Sequence, residues 1–342
     1  MCPEKEQKSN RIDASRTDHA STAYPFLLDA VVLAGTHKNL RRLIAGRNKA
    51  FLDVAGQQLV RYVINALLDV QHIDRIFVVG PPEELLGALA GLPARVKVIA
   101  QRGEMLSNCW AGIEASEDSH RFSKDIPVAE RPLLVISSDL PLVTGPSVDD
   151  FIRRCAKAEQ ESETPLAMLV GVVDEPGVTP FYPENDKPGI KRPFVELAGG
   201  RLRLANIYVA RPRQLAHQEI LQTGFAYRKA KDWRNVVVLI YKFFRRPHGW
   251  HSAWLTMRVQ LTLMLSKRKG RLYRWLKAGN TESRVEKSFS EVLGGSVKII
   301  VSPYGGLSLD VDDPQDYKVL NARYKDWAAI TAAVKGLVEE HQ

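Results

Sequence analysis

The chain has 342 residues, of which 45% are hydrophobic and 25% charged, a balance that is ordinary for a globular protein. Its three cysteines, Cys2, Cys109 and Cys155, show neither metal-ligand spacing nor a disulfide framework, which favours a reducing cytoplasm. No run reaches the roughly 20 apolar residues of a membrane-spanning helix. Residues 1–26 are polar, lack the apolar core of a signal peptide and predict a disordered tail.

The formal net charge of +9 is concentrated in one region. Residues 228–277 contain 14 Lys or Arg and one acid, Asp232, so this region carries 14 − 1 = +13 and the remainder +9 − 13 = −4. Because the basic character belongs to one segment, the net charge does not indicate a nucleic-acid-binding fold. We expect no nucleic acid partner.

The first buried strand is predicted at 27–33, an apolar run that ends at Ala34 and Gly35. A polar loop with five cations follows: Lys38, Arg41, Arg42, Arg47 and Lys49. Gly35 lets the backbone approach a ligand, loop N–H groups bind phosphate, and the cations offer charge to a polyphosphate. The alternative is an ordinary strand followed by a solvated basic loop.

Helices and strands then alternate along the chain. The pattern predicts a helix at 59–70, a strand at 73–79, a helix at 83–90 and a strand at 96–100. Such alternation predicts a parallel sheet with helices on both faces and ligands at the carboxyl ends of the strands. We expect the loops after Leu33, Ala100 and Ile136 to converge there.

Two of these loops contain candidate ligand-binding side chains. Ser107 and Asn108 either cap a helix that starts near Cys109 or contact a nucleobase or ribose. Asp139 follows a strand predicted at 132–136 and precedes Pro141. A carboxylate at that strand end is well placed to hold Mg²⁺ against a phosphate, whereas the alternative is an aspartate that caps the turn.

The second half of the chain predicts a helix at 147–160, a strand at 166–173, and a hairpin turned at Gly199 and Gly200. Lys191 and Arg192 precede the hairpin and suit an anionic acceptor, since arginine binds phosphate in bidentate fashion. Asn206 lies in the second hairpin strand, where an uncharged amide could simply satisfy the sheet.

The basic region, 228–277, holds four of the six tryptophans and predicts helices with apolar faces and cationic ends. One interpretation is a helical insertion that packs on the core and exposes solvated Lys and Arg. The other is an amphipathic surface in peripheral contact with anionic membrane or a lipid-linked phosphate. After this region, a helix is predicted at 283–293, a strand at 297–301, and a helix capped by Asp313 before Pro314.

The segment LAG, the basic loop and NKAFLDVAGQQLVRYVINAL together resemble the start of the MobA-like NTP transferases, which are related to molybdenum-cofactor guanylyltransferase. Asp139-Leu140-Pro141 matches the metal-binding Asp-x-Pro of that family, and DVDDPQD resembles its acidic strand-to-helix ending. Two departures are Thr36, where a second glycine is usual, and an Arg-Met-Gly motif that is not intact. The likeness covers residues 27–173, weakly the hairpin, and again the C-terminal residues.

This resemblance implies an α/β fold with a Rossmann-like, mixed and mostly parallel sheet of the nucleotide-diphospho-sugar transferase (GT-A) type, carrying a basic helical insertion. We expect a tail at 1–26, a nucleotidyltransferase core at 27–211, the insertion at 212–294, and a segment at 295–342 that completes the core.

The resemblance also implies roles for the candidate residues. The nucleotide would be lined by Leu33, Ala34, Gly35, Arg42, Arg47, Lys49, Ser107 and Asn108. The catalytic residues would be Lys49, on the phosphates, and Asp139, on Mg²⁺, with Asn206 helping to complete the metal or phosphate site. Lys191 and Arg192 would face the second substrate.

The resulting hypothesis is a Mg²⁺-dependent nucleotidyltransferase that moves a nucleoside monophosphate from an NTP to a phosphate or phosphonate acceptor and releases pyrophosphate. The alternatives are a glycosyltransferase of the same fold and a non-catalytic, degenerate domain that binds membrane or a partner. We expect the protein in the cytoplasm, peripheral at the inner face of the membrane.

Overall fold

A computed structural model of the protein describes residues 24–36, 43–118, 126–218, 249–266 and 270–339. Ten strands are present in these ranges: β1 Leu28–Leu33, β2 Asp53–Val54, β3 Gln57–Gln58, β4 Ile73–Gly80, β5 Val96–Ala100, β6 Leu133–Ser137, β7 Met168–Asp174, β8 Val195–Glu196, β9 Arg201–Ala210 and β10 Val297–Ser302. Eight of them form one sheet in the order β10-β7-β9-β6-β1-β4-β5, with β8 paired to β9, while β2 and β3 form a separate ribbon.

The helices of the same ranges are α1 Leu59–Leu68, α2 Pro82–Ala88, α3 Met105–Glu117, α4 Gly145–Gln160, α5 Glu175–Val178, α6 Gly249–Leu265, α7 Arg271–Ala278, α8 Glu282–Leu293 and α9 Pro314–Glu339. The alternation predicted from the sequence is confirmed. Among these described helices, none combines the length and the apolar character that crossing a bilayer requires.

The sheet is mixed and mostly parallel, as predicted. Strand β1 is parallel to both of its neighbours, β4 and β6, and the pairs β4–β5 and β7–β10 are also parallel. Strand β9 is antiparallel to β6 and β7, between which it lies. The carboxyl ends of the parallel strands β1, β4, β5 and β6 therefore share one edge, and the candidate site lies along that edge.

The central strand β1 is buried on both faces, which explains its apolar sequence. Asp29 interrupts that run, but its carboxylate is buried and accepts hydrogen bonds from Arg75 Nη2 at 2.6 Å and Ser116 Oγ at 2.5 Å. Burial raises the pKa of Asp29 above its ordinary value, although the bonds from Ser116 and Arg75 act to lower it. This carboxylate is thus paired inside the fold and is not a ligand-binding group.

The N-terminal tail is shorter than predicted. Tyr24 is buried in the main core, and its hydroxyl donates to Glu159 Oε1 at 2.8 Å. Arg211 also binds both oxygens of Glu159, at 2.7 Å each. The prediction of a tail through residue 26 is therefore wrong for 24–26, because an aromatic anchor holds that segment, and residues 1–23 lie outside the described residues.

The C-terminal segment packs against the start of the chain. Trp327 of α9 is fully buried, and its ring meets Phe181 edge-on with centroids 5.6 Å apart. The same hydrophobic cluster contains Leu52, just after the basic loop, and Leu309 and Val311, just before α9. This packing brings residues 309–312 next to the opening segment, although more than 250 residues separate them in sequence.

Helices α6 to α8 belong to the predicted insertion at 212–294. Helix α8 lies along the edge strand β10: Ile299 N donates to Glu286 Oε1 at 3.0 Å, and Val297 N donates to Ser290 Oγ at 2.8 Å. These side chains satisfy backbone donors of an edge strand. Part of the predicted helical region, residues 228–248, lies outside the described residues.

Candidate active site

The opening loop after β1 is braced by three side chains. Thr36 N donates to Gln101 Oε1 at 2.7 Å, while Asn48 Nδ2 donates to Ala34 O at 2.8 Å and to Thr36 Oγ1 at 3.0 Å. The hydroxyl of Thr36 thus accepts a bond that the glycine usual in the resembled family could not accept. The loops after Leu33 and Ala100 meet here, as predicted.

Asn108 braces the neighbouring loop and lies against Gly35. Its Oδ1 accepts from Arg102 N at 2.7 Å and from Gly103 N at 3.2 Å. A Cβ added to Gly35 would overlap Asn108 Nδ2, so the absence of a side chain at Gly35 permits this contact. The predicted helix start near Cys109 is wrong. Helix α3 begins four residues earlier, and Asn108 folds back from its first turn.

Lys49 reaches from the opening segment to the C-terminal segment. Asn48 caps the short 3₁₀ turn Lys49–Phe51 by accepting from Ala50 N at 3.1 Å, and Ala50 is buried. The Lys49 ammonium donates to Val311 O and lies 3.5 Å from Asp312 Oδ1 and 4.0 Å from Asp139 Oδ2. Its side chain is 14% exposed, so this charge is largely withdrawn from water.

Asp139 faces Lys49 from the end of β6. Ser137 Oγ donates to Asp139 Oδ1, and Val311 N donates to the Asp139 carbonyl at 3.4 Å. Asp139 and Asp312 therefore place two carboxylates around one ammonium, at the strand edge predicted for ligand binding. The Asp139 side chain is 13% exposed, which leaves it accessible to a small ligand.

The loop that presents Asp312 is held by Asp316. Asp316 Oδ2 accepts from Asp312 N at 2.9 Å and from Asp313 N at 3.2 Å. Asp313 Oδ1 accepts from Gln315 N at 2.8 Å and from Asp316 N at 2.9 Å, so the predicted cap of α9 is confirmed. The sequence interpretation of DVDDPQD as a cap was correct for Asp313, but it missed Asp312.

Arg192 joins this cluster, and Lys191 does not. Arg192 pairs with Asp316, lies 3.6 Å from Asp312 Oδ2, and donates to Asp310 O at 2.8 Å. Burial acts to lower the pKa of Arg192, but Asp316, Asp312 and Asp310 outweigh that effect, so the pKa is raised and the charge is secure. Lys191 is exposed, and its Nζ lies 5.9 Å from the centre of the Tyr182 ring.

The other candidate residues have less direct positions. Asn206 is buried in β9, next to the Ile207 that pairs with Ile136, so it lies near the end of β6. Arg47 is exposed in a tight turn whose backbone pairs with Ile44. Arg42, with the rest of 37–42, lies outside the described residues. The ligand-binding roles of Asn206, Arg47 and Ser107 remain predictions.

The cluster offers a metal ion a pair of carboxylates. Within the described ranges, no group of three or more His, Cys, Asp or Glu side chains is arranged to bind a metal. Mg²⁺, however, uses one or two protein carboxylates and takes its other oxygens from water and substrate phosphates. Asp139 and Asp312 already share one cation, the Lys49 ammonium, so their oxygens fit such a role.

Residues 30–183 match the family model of the MobA-like NTP transferase domain. These 154 residues, fewer than half of the 342, are thus similar to a MobA-like NTP transferase domain. The resemblance drawn from the opening segment is thereby confirmed. The matched residues include Gly35, Lys49, Asn108 and Asp139, but Asp312 lies beyond them.

A solved structure of a hypothetical transferase from Thermus thermophilus has a TM-score of 0.52 to this chain at 20% identity. The similarity covers 85% of this chain and 100% of that one. At this identity the likeness supports the fold alone, and it agrees with a MobA-like domain on a mixed α/β sheet.

Two curated relatives are 2-C-methyl-D-erythritol 4-phosphate cytidylyltransferases. The protein from Rhodococcus opacus (strain B4) is 24% identical over 149 residues, which are 43% of this chain and 61% of the relative. The protein from Rhodococcus jostii (strain RHA1) is 31% identical over 78 residues, which are 23% of this chain and 34% of the relative. Each match thus spans less than two thirds of the relative.

Proposed function

We propose that this protein is a nucleotidyltransferase that moves a nucleoside monophosphate from an NTP to a phosphorylated acceptor and releases pyrophosphate. The observation that carries the proposal is the position of Lys49 between Asp139 and Asp312, next to the braced Gly35 loop. An ammonium, two carboxylates and a glycine loop at one strand edge suit a polyphosphate and a divalent cation.

The reaction places few chemical demands on the protein. An oxygen of the acceptor phosphate attacks the α-phosphorus of the NTP in line, the bond from that phosphorus to the bridging oxygen breaks, and pyrophosphate leaves with the electron pair. The acceptor oxygen is already ionised near neutral pH, so no general base is needed. Lys49 neutralises charge on the departing phosphates, and catalysis consists mainly of positioning and electrostatic stabilisation.

Mg²⁺ fits this reaction through the carboxylates of Asp139 and Asp312, with Asn206 retained as a neighbouring amide. When bound, the ion supplies positive charge to the phosphate oxygens. Asp316 positions Asp312 through the two backbone bonds described above. Arg192 is held by the same loop, and it is the better placed of the two predicted acceptor-side cations, Lys191 and Arg192.

The nucleotide is assigned to the Gly35 side of the site. Leu33, Ala34 and Gly35 would line it, with Arg42 and Arg47 on the phosphates and Ser107 and Asn108 at the base or ribose. The relatives are named cytidylyltransferases that act on a phosphate ester, which favours a phosphorylated acceptor here and makes CTP the first donor to test.

Gly35→Ala should weaken nucleotide binding by roughly tenfold. The new Cβ displaces the Asn108 side chain, and the two bonds to Arg102 N and Gly103 N, each worth about 1 kcal/mol, are lost or weakened. Calorimetric titration with CTP and Mg²⁺ measures the effect. Gly87→Ala is the control, because a Cβ there meets nothing within 4 Å and helix α2 tolerates alanine. An unchanged Kd for Gly35→Ala would contradict the assignment of this loop.

The environment of Asp310 argues against the glycosyltransferase alternative. Asp310-Val311-Asp312 has the D-x-D spacing that such enzymes use for a metal. Asp310, however, is buried and pairs with Arg203 Nη2 at 3.2 Å, and Arg203 Nε donates to Ser308 O at 2.9 Å. Asp310 is therefore paired with Arg203 of β9, whereas Asp312 faces Lys49.

The assay that tests the proposal is pyrophosphate release from each NTP in the presence of Mg²⁺ and matched acceptor pairs. Glycerol 3-phosphate against glycerol, and erythritol 4-phosphate against erythritol, isolate the contribution of the acceptor phosphate. We expect release with phosphorylated acceptors of the right shape and none with their alcohols. Turnover that consumes a nucleotide-sugar and releases its nucleotide, or pyrophosphate release that does not depend on the acceptor phosphate, would contradict the proposal.

The cytoplasmic location is part of the same proposal. Cys109 and Cys155 are free cysteines in the described chain, and burial raises the pKa of the Cys109 thiol to about 12. The thiol therefore stays protonated at neutral pH.

A further inference from the structure

Helices α6 and α7 expose large apolar side chains to solvent. Trp254, Leu261 and Met264 of α6 are 46%, 39% and 76% exposed, and Leu272 and Trp275 of α7 are 58% and 61% exposed. These five residues are called here the α6–α7 face. Exposed apolar groups that are contiguous mark interaction sites more often than scattered ones do.

Helical spacing groups the residues of the face within each helix, and Leu263, which is 38% exposed on the other side of α6, is not part of it. Residues seven and ten positions after Trp254 are Leu261 and Met264, so all three lie on one side of α6. Leu272 and Trp275 are three residues apart and share one side of α7. An adjacent side of α7 packs inward, since Tyr273 and Leu276 are buried and the Tyr273 hydroxyl donates to Glu196 Oε2 at 3.0 Å.

Arg258 joins the two halves of the face. It follows Trp254 by four residues and therefore lies on the same side of α6. Its guanidinium is 5.0 Å from the centre of the Trp275 ring, Nε donates to Leu276 O at 2.9 Å, and Nη2 donates to Trp275 O at 2.9 Å. The two tryptophan-bearing helices are thus fixed side by side and do not present independent surfaces.

The chain segment that contains α6 and α7 carries charge of one sign. The sequence from 249 to 281 contains no Asp or Glu. Its cationic residues are Arg258, Lys267, Arg268, Lys269, Arg271, Arg274 and Lys277. Arg271 and Arg274 are exposed on α7, beside Leu272 and Trp275. Tryptophan, leucine and methionine enter the acyl boundary of a bilayer, while arginine and lysine pair with anionic headgroups at its surface.

We propose that the α6–α7 face docks the protein on an anionic phospholipid membrane. A nucleic acid would use the cations but would gain little from exposed Leu261, Met264 and Leu272. The excess of positive charge within 249–281 complements an anionic lipid surface. None of the five residues of the face belongs to the Lys49–Asp139–Asp312 cluster, and the inference holds or fails independently of the nucleotidyltransferase chemistry.

Vesicle flotation of the full-length protein tests the proposal. The probes are vesicles of phosphatidylcholine and phosphatidylglycerol in equal amounts, and vesicles of phosphatidylcholine alone. We expect flotation with the mixed vesicles, loss of flotation at high salt, and little flotation with the neutral vesicles. A blue shift of tryptophan fluorescence should accompany binding, because Trp254 and Trp275 leave water.

Two variants separate the apolar and charged contributions. Trp254→Ser with Trp275→Ser, and Arg271→Gln with Arg274→Gln, should each weaken binding to the mixed vesicles by at least about tenfold. Leu86→Ser is the control, since Leu86 is 64% exposed on α2, outside the face, and should leave binding unchanged. A melting temperature close to that of the wild type, measured on every variant by thermal unfolding, shows that the fold is intact.

Three results would overturn the proposal: no flotation with the mixed vesicles, equal flotation by the double tryptophan variant, or equal flotation with neutral vesicles. A dimer in size-exclusion chromatography that the tryptophan variant dissociates, without any vesicle binding by the wild type, would assign the face to a second copy of the chain and would also overturn it.

Discussion

Asp139→Asn should lower turnover with an NTP and a phosphorylated acceptor by roughly a thousandfold while leaving the fold intact. A metal ion held by Asp139 would supply several kcal/mol to the stabilisation of charge in the transition state, and each 1.4 kcal/mol or so is a factor of ten. Asparagine keeps the size of the side chain and one oxygen, but it removes the negative charge that holds the cation. Pyrophosphate release measures the effect, with thermal unfolding as the check on folding.

The neighbouring aspartates supply a matched comparison. Asp312→Asn should share the loss, because Asp312 faces Lys49 from the other side. Asp313→Asn should keep nearly full activity, since asparagine caps a helix as well as aspartate does and Asp313 serves as the cap of α9. Equal activity of the Asp312 and Asp313 variants would remove Asp312 from the site.

Lys49→Met should have two effects of opposite sign. Turnover should fall by roughly 10² to 10³, the usual cost of removing one preorganised donor from a site of developing negative charge. Binding of Mn²⁺ in the absence of nucleotide should become tighter, because the Lys49 ammonium now lies within 4.0 Å of both Asp139 and Asp312 and competes with any other cation.

Electron paramagnetic resonance of free Mn²⁺ measures this second effect without any turnover. The Lys49→Arg variant keeps the competing charge and should bind Mn²⁺ about as weakly as the wild type does. Weaker Mn²⁺ binding by Lys49→Met than by wild type would show that Lys49 does not share the cation position of the two carboxylates.

The fold was predictable because its main elements have simple sequence patterns. The strand β1 is apolar where both faces are buried, and the strands β4, β5 and β6 end at Gly, Ala and Ser near turn residues. The strand β9 was also predictable from the sequence, since Gly199 and Gly200 mark the hairpin turn that precedes it. Asp139 was identifiable because it follows the strand β6, and Lys49 because it ends the basic loop after β1 and matches the resembled family.

The rest of the site depends on contacts that local sequence patterns do not show. Asp312 was not identified from the sequence, because the capping role of Asp313 gave the acidic segment a structural explanation. The packing of Trp327, Leu309 and Val311 against the opening segment brings Asp312 to Lys49, and pairing over such a distance in sequence has no local signature. Asn48 and Gln101 were missed for a similar reason, because their function is to brace a loop by hydrogen bonds.

The most direct test of the central claim is a thermal-shift measurement of the purified protein with ATP, GTP, CTP and UTP, each with and without Mg²⁺. A ligand that binds the native state raises the melting temperature by mass action. We expect one nucleotide to raise it in a Mg²⁺-dependent manner, and Asp139→Asn to abolish the Mg²⁺ dependence. No shift with any of the four nucleotides, or a shift that Asp139→Asn leaves unchanged, would contradict the account.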